Sequence, residues 1–236
     1  MYVLGIESAT SVAAAAVVSI DGILAERMVM NKRTHSVNLL PLIKAVLEDA
    51  EINHSHLSGI AVSGGPGSFT GLRIGMSTAK ALAQIWDLPV AGISTLETLA
   101  YPLAGHGRLV CPILNARKKE VYTAVFYRTG RVLNQLVSPM ATSIEVLINI
   151  LKDYSQPVTF LGDGVPEYIL RLKESLANLA WFAPNSAGYP RGAVVAELGL
   201  KTFRDGRGIS PLQLKPEYVR PSEAEVVWLK KNSTRR

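Results

Sequence analysis

One order of segments occurs twice along this chain, and it restricts the fold more than any single motif does. Tyr2 to Glu7 is apolar and suits a buried strand. Ala13 to Ile20 suits a second strand, Asp21-Gly22 a hairpin turn, and Ile23 to Asn31 a third strand. Ser36 to Ala50 carries Leu39, Leu40, Ile43, Val46 and Leu47 at helical spacing, with Thr34 and Ser36 as cap candidates and Pro41 in the first turn. A strand near Ile60, a glycine-rich turn and a helix over Leu72 to Trp86 complete the set. Roughly 107 residues further on the order repeats. Leu109 to Leu114, Val121 to Tyr127 and Arg131 to Val137 read as strands, with Thr129-Gly130 as the hairpin turn. Ser143 to Tyr154 reads as a helix with Ile144, Leu147, Ile148 and Leu151 on one side. Val158 to Leu161 is then a strand, Gly162-Asp163-Gly164 the turn, and Pro166 to Ala177 a helix.

A duplicated βββαβα unit predicts an α/β chain of two lobes facing each other across a cleft. This resembles the architecture of actin, the sugar kinases and the heat-shock ATPases. The expected division is an N-terminal lobe at 1–102 and a C-terminal lobe at 103–220, whose last segment packs back on the first. Residues 221–236 form a basic tail. In that architecture glycine turns from both lobes hold nucleotide phosphates, but fold alone does not decide function.

The first turn runs Ser63-Gly64-Gly65-Pro66-Gly67-Ser68-Phe69-Thr70-Gly71-Leu72-Arg73-Ile74-Gly75. Glycine lets backbone approach a ligand, and the first N–H groups of a helix lack partners, so a strand–turn–helix of this kind is a ready anion site. The same residues also suit a tight connection with no ligand. A Walker loop is excluded, because Leu72 and Arg73 follow Gly71 where Lys and Ser/Thr would stand, and the glycines lack dinucleotide-binding spacing. The residues placed to touch nucleotide phosphate are Gly65, Gly67 and Ser68 in the first lobe and Gly162 and Gly164 in the second. Glu7, Ser8 and Thr10 stand at the end of the first strand.

Catalytic equipment is sparse. Glu7 would be positioned to hold a metal or activate water, or would be a surface carboxylate at a strand end. The matching position in the second half is Asn115, which is neutral, whereas phosphoryl transfer needs carboxylates on its metal. Of the four histidines, His35, His54, His56 and His106, none lies in a zinc-binding pattern, and His54-x-His56 reads as a solvated loop. Gly67-Ser68-Phe69-Thr70-Gly71 has the wrong offsets for a hydrolase elbow. Hydrophobic content of 48% with 19% charged residues is ordinary globular material. A single cysteine, Cys111, and no leader-like segment or membrane-length apolar run predict a cytoplasmic, non-membrane protein. The net charge of +6 is compatible with nucleic acid, and Arg117-Lys118-Lys119 is the densest basic run outside the tail.

Gly65-Pro66-Gly67-Ser68-Phe69-Thr70-Gly71-Leu72-Arg73-Ile74-Gly75 resembles the signature of the bacterial TsaB (YeaZ) family. The resemblance continues through His35, Leu39-Leu40-Pro41, Ala116-Arg117, Glu120-Val121-Tyr122, Gly162-Asp163-Gly164 and Pro216-x-Tyr218-Val219-Arg220. It therefore spans nearly the whole chain in order. It implies a non-catalytic partner of TsaD, which transfers threonylcarbamoyl to the adenosine beside the anticodon of tRNAs reading codons that begin with A. It further implies a TsaE ATPase partner, a homodimer when TsaD is absent, tRNA contact through the complex, and ATP or ADP only at the complex interface. TsaD is similar around Val90 to Pro102, where it carries a His-x-x-x-His metal motif. Thr95 and Leu99 stand at those positions here, so no metal site is expected. The family usually has Asp where this chain has Glu7 and Asn115. The competing reading is an active nucleotide hydrolase or kinase using Glu7 and the glycine turns. A protein without chemistry must work through surfaces. The expected partner interface is Leu39, Leu40, Ile43 and Leu47 on the first helix with Gly71, Gly75 and Ala79 on the second.

Overall fold

The computed structural model describes residues 1–31, 34–103, 107–116, 118–130 and 132–220. His106, Arg117, Arg131 and the tail at 221–236 lie outside the described residues. Two five-stranded mixed sheets form the framework. The first runs β3 (Gly22–Val29), β2 (Ala13–Ser19), β1 (Tyr2–Glu7), β4 (Leu57–Gly65), β5 (Val90–Ser94). β1, β4 and β5 are parallel, while β2 and β3 are antiparallel to their neighbours. The second sheet has the same order: β8 (Val132–Thr142), β7 (Val121–Thr129), β6 (Leu109–Asn115), β9 (Val158–Leu161), β10 (Ala180–Phe182). Helices α1 (His35–Asp49) and α2 (Phe69–Trp86) cover one face of the first sheet. The side chains of α4 (Ile144–Tyr154) and α5 (Val165–Leu176) share a core with β6, β7 and β9.

The repeated unit is longer than the sequence pattern predicts. Each copy ends in one more strand and helix, β5 with α3 (Thr95–Ala100) and β10 with α6 (Gly192–Arg204), which makes it βββαβαβα. The reason is physical: β5 and β10 are short, and α6 contains Gly192, Gly199, Val194 and Val195, poor helix formers on intrinsic propensity. It is buried on most sides, with Glu197, Lys201 and Arg204 forming a narrow outward stripe at helical spacing.

These two helices cross between the lobes. α3 carries Leu96, Leu99 and Ala100 into a cluster with Val110, Leu114, Ala124, Phe126 and Leu161 of the second sheet. α6 packs on β1, β2 and β4 of the first sheet. β1 is consequently apolar on both faces: Leu4 and Ile6 join the α1/α2 core, and Val3 joins Ala16, Ala61, Val195 and Ala196 under α6. Backbones approach closely here because the contact is built from small residues. A Cβ on Gly5 would fall on the Gly192 carbonyl and 2.6 Å from the Ala196 nitrogen, and one on Gly199 would fall on Ala61. Glu26 of β3 anchors the start of α6, accepting from the Ala193 amide at 3.0 Å and pairing with Arg191. A carboxylate at a helix N-terminus is also favoured by the helix dipole.

Gly5→Ala should therefore lift α6 from the sheet. Overpacking of this kind costs about 1–3 kcal/mol, a Tm fall of roughly 2–12 °C in a chain of this size. Thermal unfolding followed by circular dichroism checks it, and an unchanged Tm would contradict the close approach.

Candidate functional site

The carboxyl ends of β1, β4 and β5 meet at one edge of the first sheet, where ligands of open α/β sheets bind. Glu7 ends β1 and is fully buried, so it is not the surface carboxylate that its strand-end position allowed. Its Oε1 accepts from the Ala9 amide at 2.6 Å, while Oε2 has no hydrogen-bond partner. The neighbouring Ser8 amide donates to Ser63 Oγ at 3.1 Å. Burial pushes the Glu7 carboxyl up to about 8, against smaller opposing effects of the Ala9 amide, the Ser63 hydroxyl and the Ser8 amide. Burial thus favours the protonated form of Glu7. Among the described residues no group of His, Cys, Asp or Glu is arranged to hold a metal ion.

The glycine turn does bring Gly65, Gly67 and Ser68 up to Ser8 and Thr10, but the close approach is to the chain's own backbone. Ser68 N donates to the Ala9 carbonyl at 2.7 Å, and a Cβ on Gly67 would fall on that same oxygen. Ser8 Oγ donates to the Gly71 carbonyl at 2.9 Å, and a side chain on Gly71 or Gly75 would collide with Ser8. His35 Nε2 shares a hydrogen bond with the Thr10 carbonyl at 2.8 Å, fixing the 8–10 loop from above. Ser68 Oγ caps α2, accepting from Gly71 N at 3.2 Å.

A segment near the end of the described chain lies over this turn. Glu217 N donates to the Gly64 carbonyl at 2.8 Å, and Gly65, at φ +114°, leaves room for the Glu217 carbonyl where a Cβ would be 2.6 Å away. Tyr218 stacks on Phe69 at 5.2 Å, and its hydroxyl accepts from Arg73 Nε at 3.1 Å. Arg220 pairs with Glu120 of the second lobe at 3.0 Å. The Pro216-x-Tyr218-Val219-Arg220 motif is the sequence signal for this strap.

The second-lobe turn is closed in the same manner. Gly162, at φ +108°, packs against the Ile113 carbonyl, which also accepts from Gly164 N at 3.0 Å. Asp163 Oδ1 accepts from Asn115 N at 3.0 Å, and Asn115 Nδ2 donates to Glu167 at 3.2 Å. Two carboxylates thus stand beside the position where a phosphate would be sought.

The expected partner interface needs correcting. Leu39, Ile43, Gly71, Gly75 and Ala79 are buried inside this chain, and Leu47 packs against the same core. Helical spacing finds a helix's most apolar face, and α1 and α2 give that face to their own sheet and to each other. Leu40 alone of that set points outward, 54% exposed, together with Val37, Phe69 and Ile85. His54 and His56 sit in a short 3₁₀ turn capped by Asn53, with His54 stacked on Trp86 at 5.2 Å rather than free in a loop.

A family model described as TsaD, tRNA N6-adenosine threonylcarbamoyltransferase, matches residues 19–228. The tRNA threonylcarbamoyladenosine biosynthesis protein TsaB of Bacillus subtilis (strain 168) is 32% identical over 230 residues, 97% of this chain and 98% of that protein. The chain belongs to the TsaB (YeaZ) family. Its fold matches that of YeaZ from Pseudomonas aeruginosa, with a TM-score of 0.75 at 21% identity over 92% of this chain and 99% of the other. ROK hexokinase from Thermus thermophilus matches at a TM-score of 0.52 and 13% identity, over 87% of this chain and all of that one, which places the fold in the actin and sugar-kinase class. At the positions where the TsaD-like pattern would put two metal-binding histidines, Thr95 is fully buried with Oγ1 unpartnered. Leu99 there fills the core between the lobes.

Glu7 makes stability depend on pH. Its folded value, about 8, lies above the ordinary 4.5, so its contribution is fully present below pH 4.5 and is lost as pH rises toward 8. Glu7→Gln removes that titration. The Tm of the variant minus that of the parent should grow between pH 4.5 and pH 8 and level off above. A pH-independent difference in parallel thermal scans would show that Glu7 is ionised in the folded chain.

Proposed function

We propose that this chain is a subunit for tRNA threonylcarbamoyladenosine biosynthesis that performs no chemistry of its own and supports a TsaD-type transferase by docking to it. One observation carries the reading: the glycine turns of both lobes are closed on the chain's own carbonyls, Ala9 in the first and Ile113 in the second. Leu99 in the interlobe core and a neutral, buried Glu7 support it further. The hydrolase reading would require an ionised carboxylate at Glu7, which burial opposes, and a Ser68 amide free for phosphate, which instead donates to the Ala9 carbonyl.

A TsaE-type ATPase and tRNA then meet the chain through the assembled complex, any ATP or ADP sits at the interface between subunits, and self-association uses the same surface when the transferase is absent. The surface put forward is the outward side of α1, where Val37 and Leu40 are each 54% exposed and lie three residues apart, one turn along the helix. Most of that helix's apolar face is already taken by the sheet, so these outward positions are what remain for a neighbour.

Leu40→Glu should weaken association with the transferase subunit at least tenfold, about 1.4 kcal/mol, and leave the Tm of the isolated chain nearly unchanged. Cells relying on this variant should contain less threonylcarbamoyladenosine in their tRNA. Unaltered affinity by calorimetry, with full modification by mass spectrometry, would reject this surface.

A further inference from the structure

A cavity of about 320 Å³ lies on the other side of β5 from the glycine turn, between β5, α3, α6 and residues 207–209. It exists because α6 crosses back to the first sheet, and neither the glycine turns nor the α1 surface contributes to it. Its volume falls at the small end of natural ligand sites.

Three features of its wall point to one ligand chemistry. First, β5 is the edge of its sheet. The Val90 N–H and C=O exchange hydrogen bonds with Ile209 at 2.9 Å each, and among the described residues no strand pairs with the edge beyond that point. Alternation along a strand turns the amide and carbonyl of Gly92 to the same side as those of Val90, into the cavity. Second, the wall carries both signs of charge without joining them. Glu97 is largely buried, and Lys201 and Arg207 act on it only as nearby charges. Among the described residues neither forms an ion pair with Glu97 within 4.0 Å; Arg207 instead bonds Asp205 at 2.9 Å. Third, Ile93 and Leu198 give the floor an apolar surface. Of the hydroxyls nearby, Thr202 donates to the Leu198 carbonyl at 3.0 Å and Ser94 accepts from the Glu97 amide at 3.4 Å.

An anion in this cavity meets Glu97, and a cation meets Lys201 and Arg207. Only a ligand with both charged groups on one carbon gains from each side, with the N–H and oxygen positions they leave over facing the free edge of Gly92. We infer that the cavity is a binding site for a free α-amino acid, its carboxylate toward Lys201 and Arg207, its ammonium group toward Glu97, and an apolar side chain on Ile93 and Leu198.

The test is a thermal-shift screen of the full chain against the standard amino acids, followed by calorimetry of the best one. At least one should raise the Tm saturably. Its decarboxylated amine and its deaminated acid should each bind at least roughly tenfold more weakly. Glu97→Gln and Lys201→Gln should each weaken binding by a similar factor while unliganded Tm stays near that of the parent. Should Glu97→Gln fail to fold, Arg207→Gln at the rim supplies the second charge variant. Protection by none of the amino acids, equal binding of the singly charged analogues, or equal binding by folded charge variants would each overturn the assignment.

Discussion

The contact between α6 and the first sheet is what the rest of the molecule depends on. It is made from Gly5, Ala61, Gly192, Ala196 and Gly199, residues small enough for helix and sheet backbones to meet. Without it β1 would lose the cover on one face, although its nearly continuous burial requires two. The same contact carries the chain from the second sheet back to the first, so residues 207–220 can pair with β5 and then cross the glycine turn. α3 makes the reciprocal crossing onto the second sheet. The two lobes are tied by exchanged helices and by the Arg220–Glu120 pair.

The glycine turns take on a different meaning in this setting. In a nucleotide-binding relative, glycines make space for phosphate oxygens. Here the spaces beside Gly67 and Gly162 are occupied by the Ala9 and Ile113 carbonyls, and Glu217 covers Gly65. Partial negative charge from a carbonyl serves the turn amide much as a phosphate oxygen would. The sequence signature can thus persist while its ligand is replaced by the chain itself. Glu7 belongs to the same change: burial pushes this carboxyl, with one oxygen unpartnered, toward its protonated form.

Much of this is legible in the sequence. The duplicated order, both glycine turns and the end-of-strand positions of Glu7 and Asn115 follow from period and punctuation in the sequence. Three things are not. Elements such as β10 and α6 are defined by tertiary packing, since Ala180–Phe182 is too short and Gly192–Arg204 carries glycines and β-branched residues of low helix propensity. The burial of Glu7 depends on what α6 and the 8–10 loop cover, which no local pattern encodes. The small-residue stripe Gly71, Gly75 and Ala79 was visible, but a stripe does not say whether the approaching group is a partner's helix or the chain's own Ser8.

The most direct measurement is a calorimetric titration of the full chain, alone, with magnesium-ATP. Turns closed on their own carbonyls predict no saturable binding tighter than roughly 1 mM. Saturable binding in the tens of micromolar that is lost on Ser68→Ala would show that the turn opens to phosphate. In that case the chain would have kept the ligand that its architecture is built to hold.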